Sequence, residues 1–325
     1  MGTHRETLIA ALGERAKAGV VRFDDFVDVA LFLPGAGYYT SKRDRVGRRA
    51  GTDFTTSVAL GPIFGDLMAS DATSMVGDTR DYTLVEIGAE PGVSVFASVA
   101  HRFANLKTLR VGDPLDISGK SVVIANELLD AQPFRRFRFI QGKWVDLGVR
   151  VLADGSLAED IFGEPTDVEG RTFIETLPNP WHEGFTVDVA LRAEALLRGI
   201  VKGGWSGAVI FLDYGKTLPD LLESSPQGTA RAYYQHGQHN DLLANVGEQD
   251  LTCHVLWDRM ESVLKLANFT DVKVERQEAF LVRHAADALE RIVAAGTPEA
   301  VGILKALTHP SHFGGKFQVL AGRRC

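Results

Sequence analysis

The chain has 325 residues, a net charge of -7 and a pI near 5.7. Its 45% hydrophobic and 24% charged residues are those of an ordinary soluble globular protein, with room for one large domain or two. The acidic balance argues against a nucleic-acid binder, no apolar run approaches the roughly 20 residues of a membrane span, and two cysteines, Cys253 and Cys325, are too few for a disulfide framework or a cysteine-based zinc site.

Residues 7–18 carry helical apolar spacing, and VRFDDFVDVALF (21–32) predicts a second amphipathic helix. LPGAGYY (33–39) breaks the pattern with Pro34, Gly35 and Gly37. A basic loop follows from Lys42 to Arg49, where Arg45, Arg48 and Arg49 read as a solvated face. Residues 60–76 predict a helix that leads to a buried strand at Leu84–Ile87. Gly92 to Arg102 is predicted helical, TLRV (108–111) a short strand and SVVIAN (121–126) a buried strand. Polar–apolar alternation around Gly142, over 134–155, predicts antiparallel strands. Asp188 to Val201 reads as a helix, and Ala208–Leu212 as a second strong buried strand running into Asp213. Helix Leu256–Ala267 and strands Val272–Arg276 and Phe317–Ala321 close the chain. Strands alternating with helices indicate an α/β sheet. The first 19 residues lack a signal-peptide core, and Glu6 and Glu14 disfavour a transit peptide. With so few cysteines, the expected location is the cytoplasm.

The strand at Leu84–Ile87 runs into Glu86-Ile87-Gly88-Ala89-Glu90-Pro91-Gly92. Glycines in such a loop let the backbone approach a ligand, and a following helix N-terminus favours a carboxylate. Glu90 stands where many cofactor loops carry another glycine. It adds bulk and charge there, or pairs with an ammonium group. A strand–helix turn without a ligand is the structural alternative, and Pro91 suits the first turn of a helix. From Gly88 to Asn126 is 38 residues, whereas the helix, strand, helix and strand that a doubly wound half places before the strand reaching Asn126 need about 55–60. One strand–helix unit is therefore missing. It is expected to include the second strand, whose terminal acid binds ribose hydroxyls about 20 residues past the glycines. Asp113 is the nearby substitute.

Asn126 and Glu127 end a buried strand, where open α/β sheets place ligands, and Asp130 follows within a turn. Carboxylates there suit a guanidinium, although capping by Asn126 and Asp130 is the structural alternative. Asp213 ends the other strong strand and invites the same reading. Pro34, Gly35, Gly37, Tyr38 and Tyr39 form either a lid or a tight turn with packed tyrosines. Arg231 and Tyr233 line a cleft or make a structural ion pair. His236, His239 and His254 are the metal candidates, but no nearby acid completes a zinc pattern, so no metal is expected.

Eight stretches occur in one order: PGAGYY (34–39), TDFTTS (52–57), IFGD (63–66), VEIG (85–88), ANELLDAQP (125–133), FLDYG (211–215), GTARAYY (228–234) and QDLTCHV (249–255). The series resembles the MidA family of class I S-adenosylmethionine-dependent methyltransferases, from about Pro34 to Val255 and more weakly at FGGKFQVL. Mitochondrial members methylate an arginine on a respiratory complex I subunit during assembly. The resemblance implies an α/β fold of the class I methyltransferase type: a Rossmann-like, mostly parallel sheet flanked by helices. An N-terminal helical segment with a cleft loop (1–80) precedes it, and inserted strands near 134–180 and 216–255 cap the cleft of the 81–325 domain. It further implies direct methyl transfer from S-adenosylmethionine to an arginine of a partner protein, by family analogy a complex I subunit, with no membrane or nucleic-acid partner.

Carried onto this chain, the resemblance assigns Glu86, Gly88, Glu90, Gly92, Asp113 and Asn126 to the cofactor. It assigns Glu127, Asp130 and Asp213 to the guanidinium, and Gly37, Tyr38, Tyr39, Arg231 and His254 to the substrate groove. The sequence departs from the family in its loop, usually E-x-G-P-G-x-G. It departs again at Thr56-Ser57-Val58-Ala59, where the family has TSPE. These departures and the short interval after Gly88 support an alternative: a non-catalytic methyltransferase-fold assembly or interaction protein that has lost the cofactor. A binder of another nucleotide or small molecule in a remodelled pocket is a third expectation.

Overall fold

The computed structural model describes residues 2–41, 61–89, 92–178, 182–235 and 237–325. They divide into two compact units. The first gathers the described residues within 55–128, 194–215 and 257–325.

Its frame is a six-stranded sheet: β1 (Thr83–Ile87), β2 (Asn105–Leu109), β3 (Lys120–Asn126), β4 (Ser206–Asp213), β5 (Thr270–Arg276) and β6 (Gln318–Arg324), in the order β5-β6-β4-β3-β1-β2. The four strands β2, β1, β3 and β4 are parallel, with Val85 opposite both Lys107 and Val123, and Val123 opposite Val209. β6 runs antiparallel to both β4 and β5. Strands covered on both faces need apolar side chains at every position. That is why β1, β3 and β4 are near-continuous apolar runs. Leu84, Val122, Ile124, Ile210 and Leu212 share one core with Phe64, Leu67 and Met68 of the helix Pro62–Val76 and with Phe280 and Leu281 of the helix Gln277–His284. Each such side chain contributes about 1.5–3 kcal/mol when fully buried.

The 38-residue interval lacks one strand–helix unit, as its length demands, but the missing piece is not the one expected. The strand beside β1 is present as β2. What is absent is the helix and strand after it: among the described residues, 110–119 lead directly to β3. Two helix boundaries are also corrected. Gly92–Arg102 is helical only as a 3-10 segment, Ala97–Arg102, because a side chain holds residues 94–95 in place of a helical ladder. Asp188 is not helical but lies in a strand, Thr186–Val189, whose three β-branched residues favour extended backbone; the helix begins at Leu191.

One buried group in this unit has no partner. Asp71, on the helix Pro62–Val76, is fully buried and neither carboxyl oxygen has a hydrogen-bond partner among the described residues. Burial alone pushes its carboxyl well above the usual range. A folded-state value above the unfolded one means that the native state keeps a proton the unfolded chain releases. The stabilisation is complete below the unfolded value near 3.8 and is lost as pH rises toward the folded one. Asp71→Ala should therefore raise stability at pH 7 by about 1–3 kcal/mol. It should also flatten the fall in stability above pH 4, measured by urea unfolding at a series of pH values. An unchanged pH slope would show that Asp71 is not held neutral.

The second unit gathers the described residues within 1–54, 129–193 and 216–256. Its larger sheet is antiparallel, in the order Val20–Arg22, Lys143–Val151, Arg135–Ile140, Thr186–Val189, with Leu157–Gly163 also paired to Lys143–Val151. Val20–Arg22 takes the first residues of the stretch expected to be wholly helical, and the helix is Phe23–Phe32. A three-stranded antiparallel sheet joins Gly237–His239, Arg231–Tyr234 and Asp250–Thr252. Phe137, Phe173, Phe185 and Val187 form an apolar cluster in this unit. No helix among the described residues is long and apolar enough to cross a membrane.

Candidate functional site

The carboxyl ends of β1, β3 and β4 gather polar groups in one unit. After β1, Gly88 takes φ +85° and donates its N–H to the Leu109 carbonyl at the end of β2 (2.9 Å). A Cβ at residue 88 would stand 3.2 Å from Leu128 Cδ1, a tight contact added to a backbone conformation that side chains resist. Gly92 also has positive φ, +74°. Glu86 is buried; its carboxylate accepts from the Ser94 hydroxyl (2.5 Å) and the Val95 N–H (3.2 Å). Burial pushes its carboxyl up, against the pull of those two donors and of Arg110. Glu86 thus fixes the shape of the loop by holding the far side of it. Glu90 and Pro91 lie outside the described residues, as do the 42–60 stretch, with Arg45, Arg48, Arg49 and Thr56–Ala59, and His236.

At the end of β3, Asn126 Nδ2 donates to Glu127 Oε1 (2.9 Å). The Glu127 N–H donates to the Leu212 carbonyl of β4 (2.9 Å). Glu127 takes φ +51°, a conformation uncommon outside glycine, asparagine and aspartate. Asp213, 1% exposed, ends β4 and accepts from the Tyr214 N–H (2.8 Å). Gln318 Oε1 holds the next turn by accepting from the Gly215 N–H (3.0 Å) and Trp257 Nε1 (3.2 Å).

The end of β2 differs from the expectation. The residue after the strand is Arg110, 22 positions past Gly88. Asp113, the expected ribose ligand, closes a turn: it accepts the Arg110 N–H (2.8 Å), and its own N–H donates to the Arg110 carbonyl (3.0 Å). Asp116 is bound to Lys107 through its carbonyl and its carboxylate. The Arg110 guanidinium donates to Thr108 Oγ1 (3.0 Å) and reaches the Val93 carbonyl (3.5 Å).

The remaining candidates belong to the other unit. Gly37 is wedged: a Cβ there would lie 2.6 Å from the Leu33 nitrogen and 2.7 Å from the Leu31 carbonyl. Tyr38 is fully buried. The half-buried Tyr39 donates its hydroxyl to Asp250 (2.9 Å) and stacks on Phe32. Burial first, then the charges of Asp250 and Asp130, push its phenol well above the usual value. The Asp130 carbonyl accepts from the Cys253 N–H (3.1 Å). Arg231 Nη1 donates to the Ala230 carbonyl (2.6 Å). His254 donates its N–H to Thr229 Oγ1 (3.1 Å), and its buried Nδ1 has no partner among the described residues. Burial, then Lys216 and Arg231, lower its imidazole to about 4, so it is neutral at physiological pH.

Three residues outside the sequence candidates matter here: Arg110, Asp188 and Asp250. Asp188 is fully buried and accepts from Arg136 Nε (2.8 Å) and from the N–H groups of Thr229 and Ala230 (2.7 Å each). Gly228 in GTARAYY was its signal. It sits at φ +80°, where a Cβ would collide with the Asp188 carboxylate. Asp250 stood inside QDLTCHV. Among the described residues, no three His, Cys, Asp or Glu side chains are grouped to hold a metal ion.

A protein-family profile described as "Putative S-adenosyl-L-methionine-dependent methyltransferase" matches residues 74–274, more than half of the chain. The chain is 26% identical to Protein arginine methyltransferase NDUFAF7 homolog, mitochondrial, of Drosophila melanogaster, over 93% of this chain and 81% of that protein. It is 24% identical to Protein arginine methyltransferase NDUFAF7, mitochondrial, of Danio rerio, over 73% of this chain and 67% of that one. It is similar in structure to a Burkholderia thailandensis protein crystallised with S-adenosyl-homocysteine (TM-score 0.84, 23% identity, covering 99% of this chain and 93% of that one). A native crystal structure from the same organism matches at TM-score 0.81, 22% identity, over 99% and 92% of the two chains. The fold is therefore the α/β, class I methyltransferase type that the eight stretches imply. The chain belongs to the MidA family of S-adenosylmethionine-dependent methyltransferases.

Proposed function

We propose that this chain transfers a methyl group from S-adenosylmethionine to an arginine side chain of a partner protein. The observation that carries the reading is the group of Asn126, Glu127 and Asp213 at the carboxyl ends of β3 and β4, with Glu127 held at φ +51°. Open α/β sheets bind ligands at that edge. Carboxylates make strong, charge-assisted hydrogen bonds to a guanidinium, and strained backbone of this kind clusters at functional sites. The names of the two curated relatives, both protein arginine methyltransferases, support the choice of substrate.

When bound, the cofactor supplies a methyl group already activated on a sulfonium, so the protein chiefly orients. In this reading Glu127 and Asp213 align the guanidinium, Gly88 and Gly92 give the backbone its close approach, and Glu86 is a positioning residue for the loop. Asp130, Tyr39 and Asp250 form an acidic group in their own unit that suits a cationic substrate segment. Family analogy proposes a respiratory complex I subunit as partner, and the cysteine count proposes a cytoplasmic setting.

The residues fit the cofactor at one end only. Gly88, at φ +85° and pressed against Leu128, keeps bare backbone at the end of β1, and Asn126 and Glu127 offer polar groups at the end of the neighbouring strand. At the nucleoside end, among the described residues, Asp113 accepts the Arg110 N–H of its own turn and Asp116 faces Lys107 of β2. That observation favours a second reading, an interaction protein with little hold on the cofactor. Calorimetric titration with S-adenosylmethionine and S-adenosylhomocysteine separates the two. Binding between micromolar and sub-millimolar, lost on Gly88→Val, is the expected result. A folded protein that binds neither compound at millimolar concentration would end the methyltransferase reading and leave the second.

A further inference from the structure

We propose that Lys216, Arg231 and His254 form a subsite for an acidic side chain of the protein segment that this chain binds, so that the segment carries a carboxylate as well as a basic residue. The inference rests on the reading of the chain as one that acts on a partner protein, and it deepens that reading by naming a feature of the substrate. All three residues belong to one unit, within 216–256. Strand pairing brings them together. Lys216 stands in a short strand that pairs with Val255–Leu256, directly after His254. Arg231 lies opposite Thr252, two residues before His254. The two cations thus flank residue 254, and the charges of both act on its imidazole.

Three observations point to an anion. First, neither cation has an acid partner among the described residues. Lys216 Nζ donates to the hydroxyls of Ser224 (2.6 Å) and Ser225 (3.3 Å), and Arg231 Nη1 donates to the Ala230 carbonyl (2.6 Å). Both residues are half-buried. An ammonium has three donors and a guanidinium five, so both keep donors for a ligand. Second, the His254 Nδ1 is buried without a partner among the described residues. Orphaned buried N–H groups are rarer than under-satisfied acceptors, which puts the imidazole proton on Nε2. His254 then adds a third donor and no third charge. Third, the acid that acts on His254, Asp188, is fully buried and already accepts from Arg136 and from the Thr229 and Ala230 N–H groups. Its effect on the imidazole is smaller than that of either cation. A carboxylate takes strong, charge-assisted hydrogen bonds from such donors. A peptide fits better than a free anion because one strand pair presents both signs: Asp250, which accepts from Tyr39, lies opposite Tyr233 on the strand that begins with Arg231.

The test measures binding of the full-length protein to short acetylated peptides that hold one arginine and one glutamate at varied spacing. The same peptides with glutamine for glutamate, and inorganic phosphate, are the comparisons. The wild-type chain is expected to bind at least one glutamate peptide about tenfold more tightly than its glutamine counterpart. Lys216→Met and Arg231→Met should each lose that preference. Lys216→Arg should keep it, which a merely structural role at Ser224 and Ser225 would not require. The absence of a glutamate preference at every spacing would overturn the proposal, as would a preference that survives both methionine variants. Inorganic phosphate that binds as tightly as the best peptide would also overturn it, by making the site one for a free anion. A glutamate preference that follows Lys216 and Arg231, in a protein that binds no S-adenosylhomocysteine, would uphold the subsite and end the methyltransferase reading.

Discussion

Asp188→Ala should destabilise the protein by about 3–5 kcal/mol, the cost of stripping one partner from a buried charge pair. Asp188 is the hub of its unit: one carboxylate oxygen takes the Thr229 and Ala230 N–H groups and the other takes Arg136 Nε. Burial alone would lower the Arg136 guanidinium, and Asp188 and Glu159 outweigh it. Remove the carboxylate, and two buried N–H groups lose their acceptor while Arg136 keeps Glu159 (3.0 Å) and its place over the Phe23 ring. Asp188→Asn keeps an acceptor but loses the charge, and should cost less, about 2 kcal/mol. The consequence reaches the candidate residues, because Thr229 also accepts the His254 N–H and Arg231 follows Ala230. Equilibrium urea unfolding measures this: the midpoint should fall with little change in slope. A wild-type midpoint for Asp188→Ala would show that the network contributes nothing.

The parts of the fold legible in the sequence are those where one force dominates. β1, β3 and β4 are buried on both faces, so composition alone marks them. The length of the Gly88–Asn126 interval counts elements correctly, but length cannot say which element is missing. β2 is a half-exposed edge strand, NLKTL, with little apolar signal, and it survives because β1 supplies its hydrogen bonds. The helix expected from Gly92 fails for a reason outside its own residues: the Glu86 carboxylate holds Ser94 and Val95. The helices Ala286–Ala295 and Pro298–Thr308 were readable in principle. Gly296 stands in the left-handed conformation after one, and the Thr297 hydroxyl accepts from Ala300 N–H at the start of the other, with Pro298 in its first turn. The strand ends that carry the candidate residues were legible, as at Asn126, Glu127 and Asp213. Asp188 was not, because its partners, Arg136, Thr229 and Ala230, lie far from it in sequence.

At residue 127, glycine should be more stable than alanine by about 1–2 kcal/mol, the reverse of the order at ordinary strand positions. The cause is the +51° φ of Glu127, a conformation that costs a non-glycine residue about 1–3 kcal/mol. Glu127→Ala keeps that strain and loses the hydrogen bond from Asn126 Nδ2; Glu127→Gly loses the same bond but releases the strain. Methyl transfer should behave differently. Both variants remove the carboxylate that the proposed function places against the guanidinium, so both should lose about 10- to 100-fold in kcat/KM, the worth of one charge-assisted hydrogen bond. Glu127→Gln keeps the side-chain length and an acceptor for Asn126 but not the charge, and should lose activity at nearly wild-type stability. The three variants thus separate fold from function: stability orders them by backbone strain, and activity by charge. Urea unfolding and a methylation assay on an arginine-containing partner peptide measure the two scales. If alanine proves as stable as glycine, the backbone at 127 is not strained. If Glu127→Gln keeps full activity, the carboxylate has no part in the reaction, and the strain at the end of β3 serves the fold alone.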